Sequence, residues 1–393
     1  MKFLKNTKRL NQFVSDYFDL ALVFFVLLAS YAIKFANIIE LDLVIVGWIS
    51  VVLYAMYKVK INSFIFTAVF YVVLLLAYSS GIAFVSLNPN DFEYGRVIFT
   101  SFILSALVFG LMVEKKSISN IPIKKSSRDR WFVYFGLIAI TIWSIFVYIE
   151  GKNTGGSVIK EYGGANYLTI SDLLAMFSLA VLGSKNISTK ESLIFFVISL
   201  VALGLLGSRA SLLVFCCAYI FCLKQIPIKN KLFIFFAVSL IIISFIYVVQ
   251  NEESDLFFRL KTLYDFGNDE SLVGREFLFS SYLSTIAQRS ECLLLPCMPA
   301  PGDYVHNIIS VHQYFGIFGI LAVLVLVLFA FIYLMRFQFF ILPGLFFYAS
   351  INMLFARAWV SLIFPVFIGM LLFFTAQVFV ANRFKKPYFG KDI

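Results

Sequence analysis

The stretch YFGIFGILAVLVLVLFAFIYLM, residues 314–335, contains no charged side chain. A helix rises 1.5 Å per residue, so this stretch is long enough to cross the hydrocarbon core of a bilayer, about 30 Å thick. Similar apolar runs recur along the whole sequence. Because lipid offers no hydrogen-bond partner to free backbone groups, each run must be helical. The sequence therefore predicts an all-α, polytopic integral membrane protein.

The composition supports one membrane-embedded unit over residues 1–393. Hydrophobic residues make up 61% of the chain and charged residues 14%, against about a quarter charged in soluble domains. Twelve transmembrane helices are predicted, near residues 17–34, 39–57, 63–85, 96–113, 131–149, 166–183, 191–206, 210–223, 232–249, 314–335, 339–355 and 359–380.

The distribution of basic residues predicts the orientation. Every second connection is basic, and this set holds 22 of the 32 Lys and Arg residues. Cytoplasmic loops collect Lys and Arg, so both termini are expected in the cytoplasm. The same rule accounts for the net charge of +10 without nucleic acid as a partner. The expected location is a bacterial inner membrane.

One outward connection, residues 250–306, is much longer than the others, and loops of this length are commonly functional. We expect it to form a periplasmic subdomain in which residues 274–288, GREFLFSSYLSTIAQ, are helical. Cys292 and Cys297 both lie in this loop. An oxidising periplasm permits a disulfide between them, and the sequence leaves open whether they are bonded.

The outward cations include Arg209, Arg275, Arg289 and Arg357; Arg209 and Arg357 stand in tight turns, and Arg275 stands in the large loop. A lone arginine at such a position can simply extend its charge into the interface. Arg209, Arg275 and Arg357 together predict a cationic pocket that faces outward. Guanidinium groups are planar, permanently charged donors that suit phosphate oxygens. A lipid-linked diphosphate is thus the predicted ligand, with no obvious metal site.

The two histidines of the chain, His306 and His312, lie where the large loop meets an apolar run. His306 is the candidate base, because neighbouring arginines would lower its pKa and keep it neutral. The alternative is an interface histidine with a satisfied hydrogen bond, and His312 is interpreted as structural. Asn307 is a supporting residue that orients substrate or loop. Asp172, an intramembrane carboxylate near the outer side, is expected to pair with an outward arginine.

These features together resemble the O-antigen polymerase and ligase superfamily of membrane glycosyltransferases. The resemblance rests on GSRA (207–210) at a tight outward turn, GRE (274–276) in the large loop, HN (306–307), and YFGIFG (314–319) before a long span. It covers essentially the whole chain through its topology, and GSRASLLVF (207–215) and residues 165–182 are more similar to polymerases than to ligases.

The resemblance implies transfer from a glycan linked to undecaprenyl diphosphate, with inversion and without cofactor or metal. By the family pattern, Arg209 and Arg275 hold the diphosphate and His306 acts on the acceptor hydroxyl, while Arg357 is included by its sidedness alone. A chain-length regulator and a flippase are the implied protein partners. A ligase acting on lipid A core remains open, as does a transporter of lipid-linked glycans.

Overall fold

The structure, a computed structural model, describes residues 18–35, 43–85, 91–118, 127–153, 166–183, 189–222, 270–297, 305–337 and 344–383. Within these ranges the chain forms α-helices and one short 3₁₀-helix, Ser290–Leu293, and no strand. The helices are α1 (Phe18–Phe35), α2 (Leu43–Lys58), α3 (Ile61–Val85), α4 (Asp91–Ile118), α5 (Ser127–Asn153), α6 (Asn166–Leu182), α7 (Thr189–Leu205), α8 (Arg209–Cys222), α9 (Glu270–Gln288), α10 (Ser310–Phe337), α11 (Gly344–Phe355) and α12 (Ile363–Arg383).

The all-helical prediction is confirmed for the described residues, and eleven of the predicted spans coincide with helices. The remaining one, 232–249, lies outside the described residues, as do much of the large loop and both termini. Among the described residues, four helical segments are long and apolar enough to cross a membrane: Ile61–Gly81, Gly95–Val113, Trp131–Ile149 and Ser310–Leu334. These segments indicate a helical membrane protein, while the number of twelve spans and the periplasmic loop stay predictions.

Small residues bring the helices of the bundle close together. Helix α12 packs on α4, where a Cβ added at Gly369 would lie 2.7 Å from the Ser105 carbonyl oxygen. Helix α11 packs on α8 in the same way, with Gly344 against the Ala218 carbonyl at 2.6 Å. Close backbone contact at glycine is typical of helix pairs in membranes, because packing replaces the hydrophobic effect there.

Helix α9 is attached to the start of α10 through His312. Its Nδ1 atom lies 2.6 Å from the Tyr282 hydroxyl, and its Nε2 atom lies 2.9 Å from the Leu293 carbonyl oxygen. A carbonyl only accepts, so Nε2 carries the proton and Nδ1 accepts from Tyr282. Leu293 lies in a short loop closed by a disulfide between Cys292 and Cys297. The structural interpretation of His312 therefore agrees with its contacts.

Gly316 lets α10 bend around this disulfide loop. Its φ of 65° is left-handed, and a Cβ there would lie 2.6 Å from the Leu294 carbonyl oxygen. The same carbonyl accepts a hydrogen bond from the Ile317 N–H at 3.1 Å. The loop can thus approach α10 only because position 316 has no side chain.

Replacing Gly316 by Ala is expected to destabilise the protein by about 1–3 kcal/mol, because the added methyl group adds backbone strain and displaces the loop. The matched control is Gly95→Ala, where an added Cβ meets nothing within 4 Å. Thermal unfolding in detergent should show a lower midpoint for Gly316→Ala alone. Equal midpoints for the two variants would contradict this account of the bend.

Candidate functional site

Four separate parts of the chain meet at one end of the bundle: the first turns of α6, the α7–α8 turn, the segment before α10, and the α11–α12 turn. The residue that joins them is Arg357, in the α11–α12 turn. Only 3% of Arg357 is exposed. A guanidinium group buried to this extent needs partners for its charge and its donors, and the surrounding parts of the chain supply them.

Asp172 of α6 neutralises Arg357 in a two-point ion pair. Arg357 Nε donates to Asp172 Oδ2 at 2.6 Å, and Nη2 donates to Oδ1 at 3.0 Å. Paired hydrogen bonds of this kind fix the relative orientation of the two planar groups. Asp172 is itself 2% exposed. The sequence indicated an arginine partner for this carboxylate, and the structure identifies Arg357.

Hydroxyl groups complete the network around the ion pair. Arg357 Nη2 donates to Ser211 Oγ at 2.9 Å and to Ser208 Oγ at 3.3 Å, and these two oxygens are 2.8 Å apart. Asp172 Oδ1 also accepts from the Ser211 and Tyr348 hydroxyls, at 2.8 Å and 3.0 Å. Because most of its donors face protein groups, the Arg357 side chain is fixed before any ligand arrives.

The predicted phosphate ligand Arg209 lies directly next to this network. Gly207, with a φ of 66°, makes the left-handed turn that ends α7, and the Ser208 carbonyl accepts from the Leu212 N–H at 3.0 Å. Arg209 is therefore the first residue of α8, at the helix end where backbone N–H groups favour anions. Its side chain is half-buried.

The segment that carries His306 is held on both sides. The Val305 N–H donates to the Gln313 side chain at 2.8 Å. On the other side, the Asn307 side chain accepts from the Ile309 N–H at 2.8 Å. Asn307 thus orients the loop, which is one of the two supporting roles predicted for it. The half-buried His306 side chain stands between these two anchors.

A hydrogen-bonded path connects the His306 segment to the Arg357 turn. Ser310 Oγ donates to the Asn307 carbonyl at 2.7 Å and accepts from the Trp359 N–H at 2.9 Å. Trp359 is 2% exposed and packs against Tyr314, with ring centroids 4.9 Å apart. The candidate base and Arg357 are therefore positioned by one continuous set of buried contacts.

The environment of His306 lowers its pKa from 6.5 to about 4. Burial is the largest cause, and the positive charges of Arg275 and Arg357 follow. Each of these causes disfavours the charged imidazolium. The imidazole is therefore neutral around pH 7, and Arg275 of α9 lies close enough to contribute to its surroundings.

Of the predicted site residues, Arg275 and Arg357 act on His306, and Arg357 pairs with Asp172. Arg209 adjoins Ser208, which accepts a hydrogen bond from Arg357. Sequence reasoning missed Ser208, Ser211 and Tyr348. The serines flank Arg209 at positions three apart, and that spacing places them on the same face of α8. Nothing in the sequence singled out Tyr348 among the 20 tyrosines.

Within the described part of the chain, no three His, Cys, Asp or Glu side chains are grouped so that they could hold a metal ion. No protein-family model matches the chain, and no curated protein matches it.

Proposed function

We propose that the chain is an O-antigen repeat-unit polymerase. It transfers a glycan from undecaprenyl diphosphate to the nonreducing-end hydroxyl of another lipid-linked repeat unit. The site faces the periplasm, the chain crosses the inner membrane twelve times, and both termini are cytoplasmic. A chain-length regulator and a flippase are its proposed protein partners. The family resemblance of the sequence is the source of this specific assignment.

The observation that supports the proposal best is the half-buried imidazole of His306, on which the positive charges of Arg275 and Arg357 act. Arg209, Arg275, Arg357 and Asp172 together carry an excess of two positive charges. A diphosphate that links a sugar to a lipid has one ionised oxygen on each phosphate, so it matches this excess. Arg209 also begins α8, where the helix end adds favourable N–H groups for an anion.

In the proposed mechanism, Arg209 and Arg275 bind the two phosphates of the donor. His306 accepts the proton of the acceptor hydroxyl as its oxygen bonds to the anomeric carbon. The bond from that carbon to the diphosphate oxygen breaks, and the diphosphate leaves with the electron pair. The arginines stabilise the charge that develops on the leaving oxygen. Attack from the face opposite the leaving group inverts the anomeric centre.

Donor binding also strengthens the base. In the free protein, the positive charges of Arg275 and Arg357 contribute to a His306 pKa of about 4. A bound diphosphate brings negative charge to Arg275, and this offsets part of the field on the imidazole. The pKa of His306 then rises toward the working pH, where a general base is most effective. His306 thus becomes a stronger base only when the donor is bound.

Two other functions fit parts of the same site. A ligase would use the same donor but transfer the glycan to lipid A core. A transporter would move lipid-linked glycans without forming a bond, and such proteins commonly place their charges near the bilayer midplane within repeated halves. Here the charges that act on His306 gather at one end of the bundle, and this arrangement favours chemistry there.

Deletion of the gene separates the three functions. A polymerase mutant is expected to display single repeat units on lipid A core, seen as one band above the core on a lipopolysaccharide gel. Complementation with the native chain should restore the ladder. A core that carries no repeat at all would contradict the polymerase and favour the ligase. Accumulation of unflipped repeat units on the cytoplasmic side would favour the transporter.

A further inference from the structure

The ion pair between Asp172 and Arg357 lies where α6, the start of α8, α11 and the segment of His306 meet. Arg357 contacts α6 through Asp172 and the first turn of α8 through Ser208 and Ser211. Its own turn is bonded to the segment of His306 through the Trp359 N–H. The Tyr348 hydroxyl of α11 also donates to Asp172 Oδ1, so α11 joins the same network.

Burial of this pair is expensive unless every donor and acceptor is used. Moving two charges out of water costs several kcal/mol per ion, and well-packed apolar residues of the same size are often as stable. Stability alone is therefore a weak reason for charges at this position. A different reason for burying these charges is that they fix a positive charge near the proposed base, His306, and near the proposed phosphate ligand, Arg209.

We propose that Asp172 and Arg357 are a positioning pair: Asp172 fixes the guanidinium, and Arg357 holds the turn of Arg209 and the electrostatic environment of His306. Neither residue touches the reacting atoms in this proposal. This inference rests on the proposed function, since only a catalytic site would benefit from such positioning. The positioning itself is a property of the protein without substrate. It can therefore be tested without any substrate.

A test must distinguish the groups that act on His306 directly from those that act on Arg357. Arg275 of α9 and Arg357 act on the imidazole itself. Asp172, Tyr348 and Tyr167 act on Arg357. Removing the charge of Arg357 therefore raises the pKa of His306. Removing the charge of Asp172 leaves Arg357 uncompensated and does not raise it.

Because the chain has only two histidines, NMR of histidine-labelled protein in nanodiscs can follow the titration of His306 separately. We expect Arg357→Gln to raise the His306 midpoint by about one pH unit and Asp172→Asn to leave it unchanged or lower it. The control Ser178→Ala removes a buried 2.8 Å hydrogen bond between Ser178 and Ser199, deeper along α6. It should leave the midpoint at the native value.

Hydrogen exchange supplies the second readout. Both Arg357→Gln and Asp172→Asn should speed amide exchange in the α7–α8 turn and first turn of α8 by about tenfold, and Ser178→Ala should not. If Arg357→Gln does not fold, Arg357→Lys is used instead. The charge of the lysine should keep the His306 titration at the native midpoint, while loss of the contacts to Ser208 and Ser211 should speed amide exchange. Equal His306 shifts in the Arg357 and Asp172 variants, or native exchange in both, would overturn the proposal. Normal titrations with absent glycan elongation would instead count against the proposed function.

Discussion

The His306→Ala variant is expected to transfer glycan about 10²- to 10⁴-fold more slowly than the native chain, which is the usual contribution of a general base. The donor should still bind, because the proposed phosphate ligands Arg209 and Arg275 are unchanged. The loss should therefore appear in kcat with little change in KM. The measurement is the rate of elongation of lipid-linked repeat units, extracted from cells that lack the chain, by purified protein.

The pH dependence supplies the control for this role. The pH dependence of kcat/KM reports the pKa values of the free enzyme. We therefore expect kcat/KM to fall only as the pH drops through about 4, the pKa of His306, and not near 6.5, the ordinary pKa of histidine. Above that pH the imidazole is neutral and can accept a proton. The acid limb should be absent from the residual activity of His306→Ala. A native acid limb in that variant would assign the titration to another group.

The second large effect is expected from the buried ion pair. Arg357→Ala should destabilise the protein by about 3–5 kcal/mol, because it leaves the Asp172 carboxylate buried without its counter-charge. Asp172→Ala should have an effect of similar size for the same reason. Steric trapping in bicelles measures the free energy of unfolding of each variant inside a lipid environment.

The double variant, Asp172→Ala with Arg357→Ala, decides whether the two charges act as a pair. It should lose much less stability than the sum of the two single variants, because neither charge is then left alone. The control is Tyr71→Phe, which removes a buried 2.9 Å hydrogen bond to Ser105 away from the ion pair. Its effect should simply add to that of Arg357→Ala. Additive losses for Asp172 and Arg357 would show that the charges are independent.

The helices were predictable because a membrane-spanning helix requires an uninterrupted run of apolar residues in the sequence. The run 314–335 predicted the long helix α10, but the helix begins earlier, at Ser310, and contains a break at Gly316. The break is where the disulfide loop, Cys292–Cys297, packs against Gly316. A sequence pattern shows that a glycine is present, and only the fold shows what approaches it.

The candidate site was predictable as a set of residues but not as a network. The predicted membrane orientation placed Arg209, Arg357 and His306 at the same end of the helices, since each stands beside a predicted span. The partner of Asp172 lies 185 positions away in the chain, so the pairing depends on how α6 meets the α11–α12 turn. Arg357 was predicted as a phosphate ligand only because of the side of the membrane on which it is expected, and that role stays a prediction. Its buried contacts instead support the positioning role proposed above.

The most direct test of the account places the purified chain in nanodiscs with lipid-linked repeat units and a metal chelator. A nanodisc has no interior compartment, so transport cannot contribute to the result. We expect products of two or more repeat units on undecaprenyl diphosphate by mass spectrometry, and about 10²- to 10⁴-fold less of them from His306→Ala at the same early time point. Repeat units that remain single with folded, native protein would contradict the account.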